Sequence, residues 1–217
     1  MSIMMMVMII MLMPAAQVSA QRINEVLDAR TSLHEGTRSE SPEQGTLEFR
    51  DVSFRYPASG KNVLEHISFQ AKRGETVAFI GATGSGKTTL VSLIARFYDA
   101  TEGQVLVDGV DVKDYSFQAL YDRVGYVTQK AVLFSGDIRS NVLFGESRGG
   151  RTDGDVRRAL ELAQASEFVD KLPEGLDAPI AQGGANVSGG QKQRLSIARA
   201  LARKPEILVL DDSFSAL

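Results

Sequence analysis

The stretch Gly81–Thr88, which reads GATGSGKT, restricts the possible folds of this chain more than any other part of the sequence. It fits the pattern G-x-x-x-x-G-K-[ST]. Before it stands the almost uninterrupted apolar run GETVAFIG, and after it apolar residues such as Leu90, Leu93 and Phe97 recur at helical spacing. These residues predict a central buried strand, a glycine-rich loop and a helix, in that order.

The residue types in this loop suit the binding of a phosphate chain. Gly84 and Gly86 let the backbone approach phosphate oxygens without an intervening Cβ atom. The N–H groups at the start of a helix supply positive potential, Lys87 adds a full charge, and the Thr88 hydroxyl can ligate Mg²⁺. We therefore predict a site for a nucleoside triphosphate with Mg²⁺. Its contacting residues are Gly81, Thr83, Gly84, Ser85, Gly86, Lys87, Thr88 and Thr89.

A second chemical feature stands near the end of the chain, where the apolar run Ile207–Leu210 is followed by Asp211 and Asp212. Taken alone, two acids after a strand also fit a turn or a helix cap. A phosphate-binding loop of this kind needs a carboxylate at the end of a neighbouring buried strand, where it holds Mg²⁺ through the water shell of the metal. We therefore assign Asp211, together with Thr88, to the metal site.

The rest of the sequence predicts strands that alternate with helices. TLEFRDVSFRYP and VLEHISFQA show the period-two pattern of strands, QVLVDGVDV predicts a hairpin with Asp-Gly at its turn, and VGYVTQ predicts a short buried strand. DVRRALELAQASEFVDKL predicts one charged amphipathic helix, and QKQRLSIARALARKP predicts another that Pro205 ends. This alternation indicates an α/β fold with parallel strands.

Composition excludes several other kinds of site. The chain has no cysteine, which removes disulfides, thiolate metal sites and cysteine nucleophiles. Its two histidines, His34 and His66, lie far apart in the sequence, which argues against a histidine-based metal site. With a net charge of -3, the 217 residues carry no general positive field, so we expect no nucleic acid partner.

The N-terminus carries no charge before Arg22, and all seven methionines lie within its first 13 residues. A charge-free stretch of about 20 residues can span a bilayer. A signal peptide that is cleaved after Val18–Ala20 is an alternative, although the positively charged leader is missing, and a buried core helix is another, although it would be unusually rich in methionine. We favour the end of a transmembrane helix with a connecting helix over residues 1–30, followed by a polar linker at 31–45.

The run VSGGQKQR, Val187–Arg194, resembles the signature sequence of ATP-binding cassette (ABC) proteins, and its spacing ahead of ILVLDD is similar to theirs. The resemblance covers nearly the whole chain and is to half-transporters that act as exporters. It implies an α/β P-loop nucleoside triphosphatase fold of ABC type, with a central mostly parallel sheet, an N-terminal antiparallel β subdomain and a helical subdomain. Residues 46–217 would then be the nucleotide-binding domain, with the helical subdomain over about 130–190.

The resemblance also implies roles for individual residues. The signature residues Ser188, Gly189, Gly190 and Gln191 would contact the phosphates of an ATP molecule held by a second subunit, so that two domains enclose two nucleotides head to tail. Gln129 resembles the glutamine that touches magnesium and the attacking water. Tyr56 resembles the aromatic residue that stacks on adenine, with a core tyrosine at a strand end as the alternative.

Two further segments resemble the parts of an exporter that meet the membrane. Lys130–Gly145 is similar to the segment that contacts the transmembrane domain. Residues 11–28 are similar to the end of the last transmembrane helix, where it runs into the nucleotide-binding domain. Both segments strengthen the interpretation of the N-terminus as a membrane helix.

The sequence departs from this family in two places. Asp212 stands where the family has a glutamate that polarises the attacking water, and its shorter side chain places the carboxylate about 1 Å further back. Aspartate here resembles the degenerate half of heterodimeric exporters, so we expect weak catalysis from Asp212 with Gln129, and a second, competent ABC subunit as partner. The family also continues beyond the position of Leu217 with a switch histidine, so the resemblance implies a C-terminally truncated fragment of a half-transporter.

The expected function is that of the ATP-binding subunit of an ABC-type exporter, with ATP and Mg²⁺ as cofactors. It would couple ATP binding and hydrolysis to export across the cell membrane, with the nucleotide-binding domain on the cytoplasmic side. A non-catalytic or vestigial nucleotide-binding module is the alternative. The methionine-rich N-terminus and the segment Lys130–Gly145 argue against a third possibility, a soluble ABC ATPase of DNA repair or translation.

Overall fold

The structure is a computed structural model that describes residues 2–29, 31–57, 59–145 and 150–213. It consists of two units, Met1–His34 and Glu35–Leu217. In the first unit, helix α1 runs from Ser2 to Leu27 and contains Pro14. Its segment Ile3–Leu27 contains an 18-residue stretch with a mean hydropathy of 2.0 and is long enough to cross a membrane. A signal sequence meets the same criterion, so this alternative stays open for α1.

The second unit contains all the other described elements and confirms the predicted α/β fold. Its strands are β1 Leu47–Phe54, β2 Leu64–Ala71, β3 Glu102–Val107, β4 Val110–Asp111, β5 Val124–Val127, β6 Gly136–Asp137, β7 Pro179–Ile180 and β8 Ile207–Leu210. Its α-helices are α2 Lys87–Ile94, α3 Phe117–Arg123, α4 Ile138–Val142, α5 Asp153–Leu162, α6 Ser166–Val169 and α7 Gly189–Ala202. Gly175–Asp177 and Gln182–Gly184 form short 3₁₀ turns.

Four strands form an antiparallel sheet in the order β2-β1-β3-β4. In β1 the alternation places Leu47 and Phe49 in the core, and a register shift after Phe49 brings Val52 there as well, so the apolar positions that the sequence predicts are buried. The hairpin between β3 and β4 turns at Asp108 and Gly109, whose φ angles are 52° and 76°. Two consecutive left-handed residues are what an Asp-Gly turn of this type requires, so the predicted hairpin is confirmed.

A second ladder joins β5 and β8 in parallel, with Val127 opposite Leu210. The Asp211 N–H then donates to the Val127 carbonyl at 3.0 Å and extends the pairing by one residue. The predicted strands VGYV and ILVL are therefore confirmed. Because parallel strands end at the same edge of a sheet, the residues that follow β5 and β8 come together there.

The predicted central strand GETVAFIG is wrong. Residues 75–82 form no strand, and Val77 and Ile80 are 44% and 96% exposed. An extended segment becomes a strand only when a neighbour pairs with its N–H and C=O groups. Within the described ranges no strand forms a ladder with this segment, so its apolar pattern alone does not bury it. Phe79 still packs against Phe69, with ring centroids 5.1 Å apart.

The single helix predicted for DVRRALELAQASEFVDKL is instead divided into α5 and α6. Gln164 lies between them with a φ of 55°, and the Ala165 N–H donates to the Leu160 carbonyl at 2.8 Å. This left-handed closure ends α5 and redirects the chain. The predicted apolar face survives, because Leu160 is buried in one core with Leu195 of α7. Phe97, which the sequence adds to the stripe of α2, lies beyond that helix and is 46% exposed.

The predicted linker from Glu35 onward belongs to the second unit and pairs with other residues of that unit. The Gly36 N–H donates to the Tyr115 carbonyl at 3.0 Å, and the Ser116 N–H donates to the Arg38 carbonyl at 2.9 Å. A Cβ atom on Gly36 would lie 2.2 Å from the carbonyl of Asp114, so only glycine fits this close approach.

Candidate nucleotide-binding site

The glycine-rich loop has a backbone that only glycine adopts without strain. Gly84 and Gly86 have φ angles of 81° and 91°. A Cβ atom on Gly86 would also lie 3.0 Å from Leu64 Cδ2, and one on Gly81 would lie 2.7 Å from Ser85 Oγ. The loop is thus a tight cradle whose inner wall is main chain.

Helix α2 begins at Lys87, directly after this loop. Gly86, at its N-cap, has no side chain to accept from the first N–H groups, which leaves these donors and the positive end of the helix dipole for an anion. Lys87 Nζ donates to the carbonyls of Gly81 and Ala82 at 2.7 and 2.9 Å. The loop therefore holds the one lysine of the motif against its own backbone, where a phosphate chain would lie.

Thr88 and Asp211 meet across 123 positions of sequence. Thr88 Oγ1 donates to Asp211 Oδ1 at 2.9 Å. Asp211 is only 7% exposed, because the end of β8 carries it into the protein beside α2. A buried carboxylate beside a hydroxyl at the start of α2 is the pair of oxygen ligands that the sequence assigns to Mg²⁺.

Tyr126 is a polar contact of this site that the sequence reasoning missed. Its hydroxyl donates to Asp211 Oδ2 at 3.2 Å. Burial, reinforced by the Asp211 charge, raises the pKa of Tyr126 above its ordinary value. The only signal in the sequence is a polar group in the otherwise apolar strand VGYV, three residues before Gln129.

Gln129 and Asp212 are also brought together. Gln129 Nε2 donates to Asp212 Oδ2 at 3.0 Å, and both side chains are exposed. Asp212 has a φ of 46°, a left-handed conformation that aspartate tolerates better than most residues. The two residues that the sequence names for hydrolysis thus lie next to the buried Asp211.

Tyr56 takes part in a cluster of aromatic rings. Its ring meets Phe54 and Tyr98 edge-on, with centroids 4.8 and 5.1 Å apart, and its hydroxyl lies 3.0 Å from Thr89 Oγ1. These contacts fit the alternative of a tyrosine at the end of β1, and they also place its ring beside α2. Stacking on adenine stays a prediction.

The signature residues begin α7. Ser188 Oγ accepts from the Gln191 N–H at 3.3 Å, and Gln191 Oε1 accepts from the Ser188 N–H at 2.9 Å, which is a complete capping box. Gly189 is exposed. Across the part of the chain that the structure describes, no hydrogen bond joins these residues to Gly81–Thr89.

The residues present fit magnesium and a phosphate chain. Thr88, Asp211 and Gln129 offer hydroxyl, carboxylate and amide oxygens, which are the ligands that Mg²⁺ prefers. Within the described ranges no three His, Cys, Asp or Glu side chains cluster as a metal cage. Mg²⁺ does not need such a cage, since it binds through one or two protein groups, water and substrate phosphates.

The site combines a glycine cradle at a helix start, a lysine directly after it and a carboxylate at a strand end. These features define a P-loop nucleoside triphosphatase. The comparison with known families is more specific, because residues 64–215 match the ABC transporter family. The chain belongs to this family, and its resemblance to the exporters is confirmed.

Similar proteins place the chain among the ATP-binding parts of exporters. It is 46% identical over 210 residues to YfiB, an uncharacterized ABC transporter ATP-binding protein of Bacillus subtilis (strain 168), covering 96% of this chain and 36% of the relative. It is 42% identical over 198 residues to an ATP-dependent lipid A-core flippase of Pseudomonas aeruginosa, covering 91% of this chain and 33% of the relative. The chain thus spans about a third of the length of these relatives.

A solved structure agrees with this placement. The structure of a bacterial Atm1-family ABC exporter with ATP bound superposes with a TM-score of 0.81 at 31% identity, covering 94% of this chain and 36% of that chain. The fold of nearly the whole chain is therefore shared with this exporter.

Proposed function

We propose that this chain binds ATP with Mg²⁺ and serves as the ATP-binding part of an exporter, in which ATP binding and hydrolysis drive transport across a membrane. The observation that carries the proposal is the contact of Thr88 with Asp211 at the start of α2. It joins the phosphate loop to the strand-end carboxylate, as a site for a metal-bound triphosphate requires. Bound Mg²⁺ would neutralise the charge of the phosphates.

Each part of the proposed site has a separate task. The N–H groups of the loop and Lys87 bind phosphate oxygens, and Thr88 with Asp211 holds the metal. Gln129 and Asp212 orient water at the exposed edge. Tyr56 contributes an aromatic surface for the base. Ser188–Gln191, which among the described residues makes no hydrogen bond to the chain's own loop, serves the nucleotide of a second ABC subunit.

Membrane association rests on two features. Helix α1 has the length and composition of a membrane span. Within Lys130–Gly145, Phe134 and Phe144 stack with centroids 4.2 Å apart while both remain about half exposed. Exposed paired aromatics are typical of interaction sites, and we propose that the transmembrane domain covers them on the cytoplasmic side. Because the similarity to the flippase lies in the ATP-binding part, we assign no substrate from it.

A non-catalytic nucleotide-binding module is the second candidate, and Asp212 favours it. A carboxylate displaced by about 1 Å can lower a rate by on the order of 100-fold. The site would then bind ATP and complete the site of a partner through Ser188–Gln191, with little turnover in its own loop. A heterodimer with a subunit that carries glutamate at this position would combine both activities.

Equilibrium binding of radiolabelled ATP to the purified chain tests the proposal. We expect saturable binding that Lys87→Ala abolishes. The control Lys171→Ala changes an exposed lysine just after α6 and is expected to leave ATP binding intact. Binding that is unaffected by Lys87→Ala would refute it. Release of phosphate by the bound nucleotide favours the first candidate over the second, and binding without turnover favours the module.

A separate experiment tests the membrane part. Membranes from cells that express the chain are washed with alkaline carbonate, which removes peripheral proteins. The intact chain is expected to stay in the pellet, and a variant that lacks residues 2–27 is expected to be released. A soluble intact chain would contradict the role of α1 as a span.

A further inference from the structure

Asp211 is held by two hydroxyl groups from different elements, and one of them belongs to no sequence motif. Thr88 Oγ1 donates to Oδ1 at 2.9 Å, and Tyr126 Oη donates to Oδ2 at 3.2 Å. Thr88 lies in α2 and Tyr126 in β5. Each oxygen of the buried carboxylate therefore has its own donor, and its rotation about χ2 is fixed from both sides.

Tyr126 is in turn well fixed. It lies opposite Val209 in the parallel ladder, and its ring packs edge-on against Phe97 with centroids 5.0 Å apart. The backbone beside it also holds Asp211, since the Val127 carbonyl accepts from the Asp211 N–H at 3.0 Å and from Ser213 Oγ at 3.2 Å. These contacts fix the positions of both the Tyr126 hydroxyl and the Asp211 carboxylate.

We propose that Tyr126 is a positioning residue for Mg²⁺, acting through the carboxylate of Asp211. This inference rests on the proposed function, because it assigns Mg²⁺ and ATP to the same site. A buried carboxylate that loses a donor rotates toward another group or draws in water, and it no longer offers a fixed geometry. We expect the affinity for Mg²⁺ to decrease and the affinity for the phosphates to remain, because the contacts to the phosphates come from the loop and Lys87.

The variant Tyr126→Phe removes the hydroxyl and keeps the ring. ATP binding is titrated with Mg²⁺, and Mn²⁺ bound in the presence of ATP is measured directly by electron paramagnetic resonance. We expect the half-saturating Mg²⁺ concentration to rise about 10-fold, at the low end of the effect of losing a group that orients a metal ligand. ATP affinity in EDTA, which depends on the loop alone, is expected to remain unchanged.

Tyr115→Phe is the matched control. Tyr115 is buried, and its hydroxyl donates to the Val107 carbonyl at 3.0 Å, in the antiparallel sheet rather than at Asp211. Its loss is expected to lower the melting temperature without changing the Mg²⁺ titration. In an Asp211→Asn background, Tyr126→Phe is expected to add no further loss of Mn²⁺ binding, because the group through which it acts is altered.

Two results overturn the inference while the proposed function stands. One is a folded Tyr126→Phe chain whose half-saturating Mg²⁺ concentration for ATP binding equals that of the wild type or lies below it. The other is a Tyr115→Phe chain with the same rise in half-saturation, which would show a general effect of stability. If the wild-type chain binds no ATP either in EDTA or in Mg²⁺, the proposed function itself fails and the inference fails with it.

Discussion

Gln129 donates a hydrogen bond from Nε2 to Asp212 Oδ2 over 3.0 Å, at the edge where β5 and β8 end. The residue that would touch the attacking water is thus coupled to the one that would polarise it. Asp212 also has a left-handed backbone, with a φ of 46°. A longer acid at this position would reach further, but it would fit the backbone less well.

Asp212→Glu is expected to raise the rate of single-turnover ATP hydrolysis by about 10- to 100-fold, because the carboxylate regains about 1 Å of reach. The rate is measured in the complex with the partner subunit. Free energy of unfolding is expected to fall by about 0.5–1 kcal/mol, the cost of glutamate in the left-handed region. Asp212→Asn is the control, since it fits the backbone and lacks the charge. An unchanged rate in a folded Asp212→Glu complex would contradict this role of Asp212.

Gly86→Ala is expected to damage both the loop and nucleotide binding. Its φ of 91° is unfavourable for alanine, and the new Cβ atom would meet Leu64 Cδ2 at 3.0 Å and the Val63 carbonyl at 3.3 Å. We expect a loss of about 2 kcal/mol in the free energy of unfolding. ATP affinity is expected to fall by at least about 10-fold, since the N–H groups of the cradle move away from the phosphates.

Gly60→Ala is the matched control for this change. A Cβ atom on Gly60 meets no atom within 4 Å. Urea unfolding and ATP binding of this variant are expected to match those of the wild type. If Gly86→Ala behaves like Gly60→Ala in both measurements, the close approach at Gly86 is not required for the site.

The sequence predicts those parts of the fold and site that are local patterns. The Asp108–Gly109 turn, the apolar pattern of β1 and the helix over QKQRLSIARALA each depend on neighbours within a few residues. Thr88 and Asp211 are far apart in the sequence, but Thr88 ends the phosphate-loop motif and Asp211 directly follows a predicted strand. Their contact could therefore be inferred as well.

Other features depend on contacts that no local pattern encodes. Residues 75–82 have the composition of a buried strand, but a strand also needs a partner, and no ladder forms there within the described residues. Tyr126 contacts Asp211 from 85 positions away, and nothing in VGYV indicates the direction of its hydroxyl. The division of α5 from α6 depends on one left-handed residue, Gln164, which sequence periodicity does not register.

Arg199 joins α7 to the segment that carries the exposed phenylalanines. It donates to the carbonyls of Asn141 and Val132 at 2.8 and 2.9 Å, and its guanidinium lies 5.4 and 5.5 Å from the centroids of Phe134 and Phe144. Burial lowers the pKa of Arg199, but an arginine stays charged at any physiological pH. The planar fork therefore satisfies two carbonyls and two rings at once.

Arg199→Lys is expected to lower the free energy of unfolding by about 1–3 kcal/mol, because a lysine keeps the charge and loses the fork. Urea unfolding measures this loss, and hydrogen exchange is expected to increase at 132–144. Arg158→Lys, which alters an exposed arginine paired with Glu161, serves as control and is expected to change stability little. Equal effects of the two substitutions would contradict the structural role of the Arg199 guanidinium.

Asp108 is a fully buried acid whose two carboxylate oxygens have different partners. Oδ1 accepts from the Thr46 N–H at 2.9 Å, and Oδ2 lies 3.5 Å from Arg123 Nε. Burial, reinforced by nearby Glu206, raises the pKa of Asp108 from 3.8 to about 6. The folded state therefore holds the proton of Asp108 in the window between about pH 4 and 6, where the unfolded chain has released it, and stability decreases as the pH rises through that window.

Asp108→Asn removes this pH dependence and keeps an oxygen for Thr46 at a left-handed position that asparagine tolerates. The difference in free energy of unfolding between the variant and the wild type is expected to grow in favour of the variant from pH 4 to pH 6. Above pH 6 the difference stays constant, because Asp108 is then ionised in both the folded and the unfolded state. We expect it to be on the order of 1 kcal/mol, because the variant also loses the attraction between Arg123 and a charged neighbour. Asp170→Asn, at an exposed position, should show no such rise. Urea unfolding between pH 4 and 8 measures both, and a difference that falls as the pH rises would mean that the ion pair with Arg123 outweighs burial.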